Sequence, residues 1–181
     1  MLLFLWTGCV SVQRLSALKL HALDGREHAL SDLSGPRGLA LVFVGVECPI
    51  ANRALPEISS IGKSMEGRGI RVVLVYANAA ETLQQVRAHV AEYSLTLPAY
   101  RDPGFAVARA YGAHVTPEVV VLTPEGRLVY RGRINDQSSA LGRDKPAATR
   151  HDLAEALEHY LASGVVSGRV VPAVGCTFRS P

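Results

Sequence analysis

Two stretches are apolar without alternation, residues 39–46 (LALVFVGV) and 70–76 (IRVVLVY). Strands buried on both faces read this way, so both are expected near the middle of a mainly parallel sheet. Before them, residues 16–22 alternate and residues 26–33 continue after the turn-forming Asp24-Gly25, which predicts an opening β-hairpin. Residues 49–68 repeat apolar positions at helical spacing through Ile50, Leu55, Ile58 and Ile61, with Gly67 and Gly69 as stops. Pro56 lies inside that helix and is expected to kink or break it. Residues 79–93 form the clearest amphipathic helix, with Leu83, Val86, Val90 and Tyr93 on one face.

Shorter signals complete the pattern. Residues 95–100 read as a strand and 105–111 as a short helix stopped by Gly112. Residues 118–122 and 127–131 read as two strands joined by a turn (TPEG), and 151–161 as the closing helix. The order ββ–β–α–β–α–β–α–β–β–α predicts an α/β/α sandwich with a mixed central sheet and an N-terminal β-hairpin. Residues 16–165 are read as the domain, 1–15 as an N-terminal tail and 166–181 as a C-terminal tail carrying Cys176. The polar stretch 137–149 is expected to be a loop over the active face.

Composition narrows the function. With 181 residues, 48% apolar and 19% charged, the chain can bury one full core. The net charge of +3 comes from scattered basic residues without interleaved aromatics, so no nucleic-acid partner is expected. No apolar run reaches the roughly 18 residues that span a bilayer. Residues 1–9 (MLLFLWTGC) read either as a truncated lipoprotein-type signal, with Cys9 as the lipid attachment and possible membrane anchor, or as an apolar tail. The first reading places the chain in the cell envelope or periplasm, the second leaves the cytoplasm open.

Cys48 carries the candidate chemistry. It stands where the apolar strand 39–46 gives way to a helix, with Pro49 in the first helical position. Free amides and partial positive charge at a helix N-terminus stabilise a thiolate and lower the thiol pKa. Glu47 beside it is a candidate proton acceptor, and Arg53 on the same helix a candidate support for the thiolate. His114 is near enough in sequence to the predicted site to shuttle protons. His21, His28, His89, His151 and His159 show no metal-ligand spacing and are expected at the surface or in an interface. No metal or organic cofactor is called for, because sulfur can carry the electrons.

Three segments carry a family resemblance: 43–57 (FVGVECPIANRALPE), 115–126 (VTPEVVVLTPEG) and 130–134 (YRGRI). Together they resemble the thioredoxin fold, and within it the redoxin branch of alkyl hydroperoxide reductase and thiol-specific antioxidant proteins. The resemblance implies that Cys48 is the attacking cysteine and that Thr116-Pro117 forms a cis pair facing it. Thr116 and Pro117 would then bind substrate, the free backbone of Thr116 pairing with an extended partner strand. The departures are specific. Ala51 stands where a dithiol oxidoreductase has its second cysteine, Gly45 and Leu41 where a peroxidase has Thr and Pro, and Asn52 where copper-chaperone relatives have a cysteine.

Cys176, 128 residues after Cys48, is the candidate resolving thiol if its tail folds back. The implied activity is thiol–disulfide exchange, or reaction with an oxidant, with a protein or small-molecule thiol or disulfide and an external thiol reductant as partners. A one-cysteine peroxidase-like antioxidant protein and a non-catalytic thioredoxin-fold binding module remain as alternatives.

Overall fold

The computed structural model describes residues 15–178. Its centre is an eight-stranded mixed sheet. The two apolar runs form its middle, β3 (Gly38–Val44) and β4 (Ile70–Tyr76), parallel and in register from Gly38↔Ile70 to Val44↔Tyr76. Every residue of β3 is buried, as expected of a strand covered on both faces. β7 (Glu118–Leu122) lies antiparallel to β3, and β8 (Leu128–Gly132) antiparallel to β7. On the other side β5 (Ala99–Arg101) joins β4, followed by the hairpin of β1 (Lys19–Ala22) and β2 (Glu27–Ala29).

The period-two pleat of β3 divides the core in two. Ala40, Val42 and Val44 face α2 (Pro49–Glu66), α3 (Leu83–Glu92) and α5 (Asp152–Ser163), among them Leu55, Ile58, Val86 and Leu157. Leu39, Leu41 and Phe43 face α1 (Leu30–Leu33) and α4 (Ala106–Tyr111), among them Leu30, Val107 and Tyr111. The architecture is the expected thioredoxin-like sandwich.

Several boundaries differ from the sequence reading. α2 runs unbroken as one helix through Pro56. α3 begins at Leu83, where Thr82 and Gln85 close a capping box, and not at residue 79. The polar stretch 137–149 contains a small hairpin, β9 (Ser138–Ala140) and β10 (Arg143–Asp144). Asp136 ties its base, accepting from the backbone N–H of Thr149 and Arg150 at 2.7 and 2.9 Å. Hydrogen bonds from the Lys145 ammonium first, then from the Thr149 hydroxyl and the Arg150 N–H, outweigh burial and hold the Asp136 carboxyl far below the usual carboxylate range.

The tail contributes two strands that periodicity did not announce. β11 (Arg169–Val171) adds to the main sheet parallel to β8. Asp152, fully buried at the start of α5, faces Arg133 of the segment after β8, Arg150, and Arg169 of β11 at 2.7, 3.4 and 3.6 Å. That cluster fixes where the tail leaves the domain. β6 (Val115–Thr116) pairs with β12 (Cys176–Thr177) in a separate two-stranded sheet. Cys9 and the rest of the N-terminal segment lie outside the described residues.

Candidate active site

β3 delivers the chain to residues 45–48, and Cys48 caps α2 with its side chain accepting from the Ala51 N–H at 3.5 Å. Pro49 occupies the first helical turn, as expected. The Thr116-Pro117 bond is cis and lies against the sulfur. The Cys48 thiol donates to the Thr116 carbonyl at 3.0 Å. Thr116 and Cys48 are both buried, at 5% and 3% exposure, so the sulfur sits inside a wall and not on a protruding helix end.

The edge of Thr116 is not open. The tail returns antiparallel to it, with Cys176 opposite Thr116 and Thr177 opposite Val115. Phe178 N–H continues the pairing by donating to the His114 carbonyl at 3.2 Å. Cys176 thereby meets Cys48, and no disulfide joins them. Burial opposes the Cys48 thiolate, but hydrogen bonds from the Thr116 side chain, the Cys176 side chain, the Ala51 N–H and the Cys176 N–H outweigh it. The thiol pKa falls below its ordinary value, in the direction the helix position implied.

A cavity of about 110 Å³ opens beside the sulfur, walled by Gly45, Glu47, Asn78, Glu81, Thr116 and the tail residues Cys176 to Phe178. Glu81 is the residue that sequence reasoning missed. It follows β4 across the sheet from Cys48, and its Oε1 accepts from the Val46 N–H at 2.8 Å. Its Oε2 is buried without a hydrogen-bond partner. Burial raises its pKa, against the Val46 and Asn78 hydrogen bonds that lower it. Gly45 makes room for this arrangement: a Cβ there would meet Glu81 Oε1 and Thr116 Oγ1 at 3.3 Å and Cys48 Cβ at 3.6 Å. The pattern of a carboxylate five residues past a buried strand was visible, but no spacing ties such a residue to Cys48.

His89 corrects the surface reading. It is 2% exposed, because it shares the inward face of α3 with Val86. Asn52 Nδ2 donates to the Val46 carbonyl at 3.1 Å, so its Oδ1 accepts from His89 Nε2 at 2.9 Å. His89 Nδ1 is then the acceptor for the Tyr76 hydroxyl at 2.8 Å. Burial lowers the His89 pKa and keeps this neutral tautomer. Asn52 thus braces the loop that carries Cys48.

The other candidates fall around this centre. Glu47 is exposed at the cavity rim. Arg53 pairs with Asp144 of the β9–β10 hairpin at 2.5 Å. His114 is exposed, and its backbone N–H donates to Glu118 at 2.8 Å. Among the described residues no group of three or more His, Cys, Asp or Glu is placed to hold a metal, and no helix is long and apolar enough to cross a membrane.

Known proteins similar to this chain identify its family and its fold. A thiol-disulfide oxidoreductase ResA of Halalkalibacterium halodurans is 30% identical over 110 residues, which is 61% of this chain and 61% of that protein. The crystal structure of a hypothetical protein from Sinorhizobium meliloti matches at 28% identity and TM-score 0.78, covering 95% of this chain and 96% of the other. A secreted disulfide oxidoreductase of Mycobacterium tuberculosis shares the fold at 18% identity and TM-score 0.58, over 80% of this chain and 96% of its own. The AhpC/TSA family model matches residues 12–131, from before the opening hairpin into β8, and the chain belongs to the AhpC/TSA family.

Proposed function

We propose that this protein exchanges thiols and disulfides through Cys48, with Cys176 as the resolving thiol. The observation that carries the reading is the tail strand, which sets the Cys176 side chain and N–H both on the Cys48 sulfur. In the reducing direction the Cys48 thiolate attacks a partner disulfide. One new S–S bond forms, the partner S–S bond breaks, and the released sulfur leaves as a thiolate. Cys176 then attacks Cys48 Sγ, forming the Cys48–Cys176 bond and freeing the second partner sulfur. Two electrons pass to the partner, and an external thiol returns them.

Cys176 must lose a proton to attack, and a leaving thiolate must gain one. Glu81, in the same cavity with an unpartnered oxygen and a pKa raised by burial, is suited to carry that proton. The ResA relatives support exchange over peroxide reduction, as do Gly45 and Leu41 in place of the peroxidase residues. We place the activity in the cell envelope, with Cys9 as the lipid attachment, a reading supported by the MLLFLWTGC segment.

A trapping assay tests the relay. Cys176→Ser should accumulate a mixed disulfide at Cys48 with a disulfide substrate and lose steady turnover, whereas Cys48→Ser should form no adduct there. Full turnover by Cys176→Ser would remove Cys176 from the mechanism.

A further inference from the structure

The tail does more than bring a second sulfur to the first. It lies antiparallel on the Val115–Thr116 edge, which is where an extended partner strand would have to lie to reach Cys48. We propose that residues 175–178 are a built-in copy of the partner strand, and that the edge they cover binds an extended Gly-Cys-x-aromatic peptide whose cysteine is disulfide-bonded. The proposal rests on the exchange reading of Cys48.

Three contacts define the template. The cysteine position is set by register, since Cys176 stands opposite Thr116 against the attacking sulfur. The position before it tolerates no side chain in this pose, because a Cβ on Gly175 would stand 2.0 Å from the Thr116 carbonyl oxygen. The position two residues on takes a ring: Phe178 lies 5.7 Å from Phe43 and 6.0 Å from Phe105, centroid to centroid. Phe105 holds its side of that slot from a left-handed backbone (φ 56°), a conformation that bulky residues rarely adopt and that surrounding structure must enforce.

One edge cannot pair with two strands, so tail and partner alternate. The partner strand pairs with Thr116 while the tail is lifted, and its disulfide is attacked by Cys48 as written above. The returning tail then displaces the partner strand and presents Cys176 to the mixed disulfide. Resolution and product release become one movement, and reading of the partner occurs before the tail returns.

The test uses the full chain with Cys9→Ser and Cys176→Ser, so that Cys48 is the reacting thiol. Gly175→Val is added to unseat the tail by steric conflict with Thr116, and Phe178→Ala serves as an independent way to loosen it by emptying the ring slot. Each form is mixed with acetyl-Val-Gly-Cys-Thr-Phe-amide carrying a thionitrobenzoate disulfide, with a scrambled Val-Phe-Cys-Thr-Gly version, and with dithiobis(nitrobenzoate). Thionitrobenzoate release gives the rate. With the tail seated, both peptides should react slowly, because the tail holds the edge. With either loosening change, the matched peptide should gain on the order of tenfold over the scrambled one. Equal peptide rates in both loosened forms, with the small disulfide still reacting, overturn the template and leave the exchange reading standing. No reaction of Cys48 with the small disulfide overturns both.

Discussion

Cys176→Ala is the change whose effect on the Cys48 thiol can be worked out most directly. The substitution removes the Cys176 S–H from the sulfur but keeps the backbone N–H of the tail strand, the Ala51 N–H and the Thr116 side chain in place. A hydrogen bond to a charged group contributes about 1.5–3 kcal/mol, and a thiol is a weak donor, so the loss belongs near the lower end. At about 1.4 kcal/mol per pH unit, the Cys48 pKa should rise by about one unit. Cys176→Ser keeps a donor of the same reach and should leave the pKa at or below the parent value. The assay is the pH dependence of Cys48 alkylation, followed at the Cys48 peptide by mass spectrometry so that Cys9 does not contribute. If Ala and Ser variants both titrate with the parent, the Cys176 side chain does not stabilise the thiolate, and the reasoning is refuted.

Other outcomes follow from the same geometry. Burial raises the Glu81 carboxyl above its unfolded value, so the folded chain keeps a proton that the unfolded chain has already lost. Stability is therefore greatest below the unfolded value and falls as pH rises through the folded one; Glu81→Gln should melt above the parent at neutral pH, the gap closing in acid. A gap independent of pH in differential scanning calorimetry would contradict the assignment. Asn52→Ala leaves His89 Nε2 without its acceptor and should cost about 1–3 kcal/mol, at about 2–4 °C of melting temperature per kcal/mol. Arg53→Ala should leave the alkylation pKa of Cys48 unmoved, because Arg53 is engaged with Asp144 in an exposed, solvent-screened pair; a raised pKa would return Arg53 to the site.

The central strands were legible because burial on both faces leaves no polar position in β3 and almost none in β4, so length and flanking turns settle the assignment. Cys48 was legible for a related reason: the strand end, Pro49 and the helix period all meet there. The tail was not. β12 is two residues long and pairs with the two residues of β6, too short for any period to register. What holds it is a set of contacts distant in sequence: Gly175 on Thr116, Phe178 on Phe43 and Phe105, and Cys176 on Cys48. His89 misled for the opposite reason. A lone His on a helix face reads as polar, and its burial depends on Tyr76 and Asn52, which lie 13 and 37 residues away.

The most direct test of the account is a non-reducing peptide map of the reduced full chain, before and after one equivalent of hydrogen peroxide. Cys48 and Cys176 should appear joined within one chain after oxidant and separate again with dithiothreitol. Cys48 found as a sulfenic acid, or joined to Cys9 or to a second chain while Cys176 remains a thiol, would contradict the two-cysteine relay.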